Sequence, residues 1–194
     1  MELEHQRIAI LMADRYEELE FWYPYYRMKE AGAEVVVLGP GFGPEEVHGK
    51  HGYPARIEAR ARDVKPEDFD AVIIPGGYAP DLLRRDADIL GFVRALAEAG
   101  APTAAICHAG WVLISAGVIR GKRATSFYSI RDDMVNAGAD WRDEEVVVDG
   151  NIITSREAAD LPAFCREIIR ALRRACRQKL PEIFCPTIES TKDQ

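Results

Sequence analysis

Thr103-Ala104-Ala105-Ile106-Cys107-His108-Ala109-Gly110 runs from a short apolar stretch into a cysteine and then into small residues that open a helix, Gly110 to Ala116. A brief apolar run without polar alternation reads as a strand covered on both faces. A cysteine at its end follows the elbow logic of G-x-S-x-G hydrolases, with sulfur in place of oxygen. Small neighbours suit such a turn, because the nucleophile sits on strained backbone where bulk would clash. A thiol at a helix N-terminus feels the positive end of the dipole, which favours the thiolate. The competing reading of Cys107 is a buried cysteine that merely ends a core strand.

Working outward, strands and helices alternate along the whole chain. Arg7 to Met12 reads as a strand, Glu17 to Glu30 as a helix stopping at Gly32, and Glu34 to Leu38 as a buried strand. Pro24 inside the first helix predicts a kink or a break there. Gly39 to Gly52 reads as loop and Tyr53 to Ala61 as a weak edge strand. Ala71 to Ile74 reads as a strand ending in Pro75-Gly76-Gly77, and Asp86 to Ala99 as a helix. Ala124 to Phe127 and Glu144 to Val148 are strand candidates, and Asp149-Gly150 is a hairpin turn signal. A long helix from about Pro162 to Leu180 follows. The pattern predicts a flavodoxin-like, doubly wound α/β sandwich with a mostly parallel sheet, one domain over 1–180 and a C-terminal tail over 181–194. Ligands in such sheets bind beyond the carboxyl ends of the strands. That rule brings together Asp14 to Glu18, Gly76-Gly77 and Cys107-His108.

The chain has 194 residues, 47% hydrophobic and 29% charged, which excludes a disordered chain and a disulfide scaffold. Lys plus Arg is 25 against 32 Asp plus Glu, a net charge of −7, which argues against nucleic acid as a partner. The absence of an apolar leader or spanning stretch predicts a cytoplasmic chain without a membrane partner. The four cysteines form no C-x-x-C pair and the histidines are not spaced to complete a zinc site, so neither metal nor cofactor is expected. Gly39-Pro40-Gly41-Phe42-Gly43 lacks the dinucleotide spacing. Trp22, Tyr23 and Tyr26 form a stripe that reads as core or subunit interface.

Around the elbow, His108 reads either as a general base or as a polar residue on the first helical turn. No histidine lies downstream of it, so a distant Cys–His–Glu triad is excluded. Glu17, Glu18 and Glu20 partly complement the helix dipole. Glu17, first after the strand, is the candidate for a carboxyl held protonated beside the sulfur. Gly76-Gly77 is either a plain turn or, with the amide after Cys107, an oxyanion hole.

These stretches, together with Gly49-Lys50-His51-Gly52-Tyr53, Leu113-Ile114-Ser115-Ala116-Gly117-Val118, Asp132-Asp133-Met134-Val135-Asn136-Ala137-Gly138 and Val146-Val147-Val148-Asp149-Gly150-Asn151, resemble the DJ-1/PfpI superfamily, in its PfpI-like branch. The resemblance implies Cys107 as nucleophile, Glu17 as the protonated carboxyl, His108 as adjacent base, and the amides of Gly77 and His108 as oxyanion hole. It implies a homo-oligomer, a dimer or trimer of dimers, in which Asp81 of a neighbouring copy stands where the branch has Glu to orient the histidine. A site-lining Tyr of relatives is Phe127 here, with Tyr128 beside it either as substitute or not. The implied activities are conversion of small α-oxoaldehydes, deglycation of their early protein or nucleotide adducts, or hydrolysis of peptides, without cofactor. A redox sensor oxidised at Cys107 is a further reading.

Overall fold

Each buried apolar run takes a place in one sheet, and the order of those runs puts the elbow at its middle. The computed structural model describes residues 2–179, with side chains through residue 175; the tail expected over 181–194 lies outside the described residues. In chain order the elements are β1 (Arg7–Leu11), α1 (Glu18–Glu30), β2 (Glu34–Gly39), β3 (Glu46–His48), β4 (Pro54–Arg56), β5 (Ala59–Arg60), β6 (Ala71–Ile74), α2 (Ala79–Leu83), α3 (Ala87–Glu98), β7 (Thr103–Ile106), α4 (Gly110–Ala116), β8 (Arg123–Ala124), α5 (Arg131–Asn136), β9 (Asp140–Trp141), β10 (Val146–Asp149), β11 (Ile152–Ser155) and α6 (Leu161–Lys179). The main sheet has the order β10-β11-β7-β6-β1-β2-β5. All its pairings are parallel except β10 with β11. Those two form the hairpin signalled by Asp149-Gly150, with Gly150 at φ 63°.

From β1 the chain moves to β2 on one side, whereas β6 lies on the other and leads on to β7. The direction of winding therefore reverses between β1 and β6, and a crevice opens at their carboxyl ends. Right-handed crossovers put α1 and α3 on opposite faces for the same reason. Helix α1 packs with α6, and α3 with α4. The core between them is a continuous set of buried residues including Ile8, Ile10, Phe21, Ile73, Ile74, Ile106 and Phe164.

Three expectations need correction. Of the kink or break expected at Pro24, the break does not occur: helix α1 continues through it. Phe21, Pro24 and Met28 share its buried face, and that packing outweighs a lost backbone bond of about 3 kcal/mol. The stretch read as loop contains β3, which pairs with β4 as a hairpin, while the edge strand itself is the two-residue β5. The strand expected over Ala124 to Phe127 stops at Ala124. Beyond it the Thr125 amide donates to Thr154 Oγ1 at 2.8 Å and the Phe127 amide to the Cys107 carbonyl at 3.2 Å, so the chain leaves strand pairing to reach the elbow. Among the described residues no helix is long and apolar enough to cross a membrane.

Candidate active site

Cys107 follows β7 directly and begins a single 3-10 turn, Cys107–Ala109, that leads into α4. Its φ is 62°, left-handed backbone that a side chain other than glycine rarely adopts. Such a residue carries strain of order 1–2 kcal/mol, held in place by the strand behind it and the helix ahead. The helix can follow so closely because residue 110 is glycine: a Cβ there would lie 2.7 Å from Met134 Sδ and 3.1 Å from Ile130 Cδ1. Small residues after the cysteine thus allow α4 to pack on α5.

Three carboxylates in the first turn of α1 have three different fates. Glu17 is the N-cap: its Oε2 accepts from the Glu20 amide at 2.9 Å, and its Oε1 lies 3.4 Å from Lys50 Nζ. Glu18 accepts from the His51 backbone amide at 2.6 Å and faces His51 Nδ1 at 3.0 Å. Glu20 points into the molecule, where it hydrogen-bonds the Cys107 sulfur and accepts from the Gly76 amide at 2.8 Å. The expected carboxyl was Glu17; the residue on the sulfur is Glu20. The reason is helical phase. Glu20, Phe21, Pro24 and Met28 are the buried stripe, whereas Glu17 lies before the helix and bends back over its first turn. The 3.6-residue period of that stripe is the signal that picks Glu20 from its neighbours.

Burial raises the Glu20 pKa to about 7, with the nearby Glu17 charge acting in the same direction. Burial, and then the Glu20 charge, push the Cys107 thiol well above the usual thiol range. The amides of Gly77 and His108 hydrogen-bond the sulfur and pull the other way. The expected lowering by a helix dipole therefore does not govern this thiol. Two buried groups in contact do not both ionise, so the pair keeps at least one proton, and when Glu20 is ionised a proton leaving sulfur has the carboxyl to rest on.

Gly76 and Gly77 serve separate purposes. A Cβ at residue 76 would lie 2.6 Å from Glu20 Oε2 and 2.7 Å from Cys107 Cβ, so glycine lets carboxyl and sulfur meet over this backbone. Its amide is taken by Glu20, which leaves the Gly77 and His108 amides as the pair facing the sulfur. Gly77 has φ 77°, and a Cβ there would come within 2.5 Å of the Glu17 amide nitrogen. Bridges from Tyr16 to Gly77 and to Gly49 tie the segments after β1 and β6 to the β3–β4 hairpin.

His108 lies on the other side of the sulfur, with Nδ1 3.2 Å from Sγ. Its Nε2 lies 3.0 Å from Ser129 Oγ. The ring stacks on Phe127 at 5.2 Å between centroids and meets Trp111 edge-on at 5.2 Å. Burial, and then the Lys50 charge, lower the His108 pKa, so the imidazole is neutral at neutral pH. Phe127 stands where the resemblance implies a site-lining Tyr and does line the site, without a hydroxyl; Ser129 was not among the expected site residues, and no local signal marks it, since it arrives because the 3-10 turn Tyr128–Ile130 folds over the elbow. Tyr128 is not brought to the sulfur. It is 69% exposed and meets Trp141 edge-on at 6.3 Å, because the Phe127 amide is bonded to Cys107 and the next residue points away. Asp81 is exposed on α2 and lines a cavity of about 460 Å³ with Asp14, Arg15, Tyr78, Leu82 and Trp111. Within one chain, no hydrogen bond or ion pair joins it to His108.

The parallel sheet, the reversal between β1 and β6 and the strained cysteine at its crevice define a flavodoxin-like α/β protein with a buried elbow thiol. A profile described as the DJ-1/PfpI family matches residues 6–171, and the chain belongs to that family. It is 46% identical over 167 residues to "Deglycase PYRAB04690" of Pyrococcus abyssi, covering 86% of this chain and 99% of that protein. It is 43% identical to "Deglycase PfpI" of Pyrococcus furiosus with the same coverage. Among solved structures it is similar to a two-domain protein of Anabaena variabilis with DJ-1/ThiJ/PfpI-like and ferritin-like domains, with a TM-score of 0.83 and 44% identity. That match covers 86% of this chain and 48% of the two-domain chain.

Proposed function

We propose that this chain is a cofactor-independent cysteine enzyme acting on small α-oxoaldehydes such as methylglyoxal, or on their early adducts with amines and thiols. The observation that carries this reading is the meeting of Cys107, Glu20 and His108 at one sulfur, with two backbone amides aimed at it. Relatives named deglycases, at 46% and 43% identity, support the adduct form of the reaction.

The chemistry runs in three steps. The Cys107 sulfur, its proton passed to Glu20 or His108, adds to the aldehyde carbon, and the resulting oxyanion is held by the Gly77 and His108 amides before it is protonated. This hemithioacetal loses its C–H proton to the base and regains one on the neighbouring carbonyl carbon, which leaves a lactoyl thioester. Water then cleaves the thioester, so the balance is one methylglyoxal and one water to one lactate, with the thiol restored. On an adduct, Cys107 takes over the aldehyde carbon and the amine or thiol departs first. In a homo-oligomer, exposed Asp81 is the carboxylate available to a neighbouring copy. The test is lactate formation from methylglyoxal without glutathione, in wild type, Cys107→Ser and Glu20→Gln. Turnover lost in both variants sustains the reading. A folded wild type without turnover sinks it, and cleavage of small peptide amides, or selective peroxide oxidation of Cys107 without turnover, would then decide between a peptidase and a sensor.

A further inference from the structure

We infer that the cleft between α1 and α6 is a binding site for a small polyphosphate, separate from the elbow and independent of the proposed function. A cavity of about 450 Å³ opens there. Its walls are Arg27 of α1 and Arg166, Arg170, Arg173 and Arg174 of α6, with buried Ile169 between them. Glu2 is the one carboxylate among the described residues that line it. Five arginines thus meet one carboxylate, in a chain whose net charge is −7. The four on α6 stand at i, i+4, i+7 and i+8, which is one face of a helix. At 1.5 Å per residue that face carries guanidinium groups along about 12 Å. Complementing the helix dipole does not account for them, because the dipole acts within the last turn and α6 continues to Lys179. Arg27 faces them from the last turn of α1, at the opposite end of that helix from Glu20.

The carboxylates at hand leave a surplus of positive charge. Glu2 reaches both helices, lying 3.3 Å from Arg27 Nη2 and 3.4 Å from Arg173 Nη1. Arg27 also pairs with Glu30 at 3.6 Å, and Arg170 pairs with Glu167. No carboxylate of the described residues pairs with Arg166 or Arg174. Glu2 therefore marks, with an anion of the chain's own, the point between the helices where an anionic ligand sits. Its two contacts are long for charge-assisted bonds, and a ligand that carries more charge displaces it. The chemistry of the wall selects phosphate. A guanidinium fork matches phosphate oxygens with two parallel bonds, and it stays charged at every working pH. Phosphates linked in a row present several such sites along one line, so one molecule engages Arg166, Arg174 and Arg27 together. A single carboxylate meets only two of the arginines. The cavity is of the size that takes a small molecule.

The test is calorimetric titration of the full chain with inorganic triphosphate, at fixed ionic strength, with sulfate as the comparison anion. Wild type should bind triphosphate saturably with a Kd of about 1 mM or tighter, and sulfate more weakly. Arg166→Gln and Arg174→Gln should each weaken triphosphate binding about tenfold, the worth of a hydrogen bond to a charged group. Glu2→Gln should tighten it, because the competing carboxylate is gone. Arg142→Gln should leave it unchanged, since that arginine pairs with Asp140 at 2.6 Å away from the cleft. All four side chains lie at the surface, and wild-type melting temperatures confirm that the variants are folded. A wild type without saturable triphosphate binding overturns the inference, as does binding that survives in both Arg166→Gln and Arg174→Gln. An equal loss in Arg142→Gln overturns it too, by reducing the effect to general attraction. Sulfate bound as tightly as triphosphate overturns the polyphosphate assignment. Methylglyoxal turnover fails or holds separately, since none of these readouts involves Cys107.

Discussion

Cys107 and Cys165 are both free, both buried, and both hold their protons tightly, yet their surroundings have little else in common. Around Cys165, on α6, lie Phe164, Ile168 and Ile169 of the core; burial pushes its pKa up to about 12, with only the distant Arg27 charge opposing. Around Cys107 stand a carboxyl that can take its proton, an imidazole 3.2 Å away and two backbone amides. Burial alone makes an inert thiol. What separates the two is whether groups are present to receive the proton and to hold the anion once it forms. The backbone differs in the same sense: Cys165 sits inside a regular helix, whereas Cys107 keeps a strained φ of 62°.

The largest expected effect breaks this contrast at its stronger end. Cys107→Ser should lower turnover by more than about a thousandfold and leave Cys165 of the folded protein unlabelled by iodoacetamide, as mass spectrometry of peptides carrying each of the four cysteines would report. If Cys165 is labelled, it is reactive and the contrast is wrong. Glu20→Gln should lower turnover by about a hundredfold, and Glu17→Gln by about tenfold or less, since only Glu20 touches the sulfur. Equal losses would show that proximity to sulfur is not what matters.

Glu20 also has a signature in stability. Its folded pKa of about 7 lies above the ordinary value of 4.5, so the folded state binds its proton more tightly than the unfolded chain does. That contribution is fully present below pH 4.5 and is lost as pH rises through about 7. Wild type should therefore lose roughly 3 kcal/mol relative to Glu20→Gln across that window, followed by chemical denaturation at several pH values. Parallel curves would place the carboxyl in water. The smallest effect is expected at the weaker end of the contrast. Cys165→Ala should cost about 1 kcal/mol by leaving a small void, lower the melting temperature by a few degrees, and leave Cys107 labelling unchanged.

Much of this site is legible in the chain because its parts are neighbours along it. Cys107, His108 and the small residues after them follow one another, and the buried run before them can only be a strand. The parallel order of β1, β6 and β7 follows from the alternation of elements, and with it the place where the loops converge. The carboxyl was legible only in part. The acidic first turn of α1 is plain, but choosing Glu20 over Glu17 needs the phase of the buried stripe, which shifts with where the helix begins. Tyr128 shows the same difficulty on a smaller scale, since one residue along an irregular turn reverses which side chain faces the histidine.

Local order, then, determined the fold class, the elbow and the identity of its sulfur, because period and adjacency act over a few residues. Tertiary structure alone decided which carboxyl meets the sulfur, that Phe127 covers the imidazole, and that Ser129 meets its far nitrogen. Those contacts join segments from β1, β6 and the turn beyond β8. Nothing short of the winding reversal in the sheet and the packing of α4 on α5 brings them to one place.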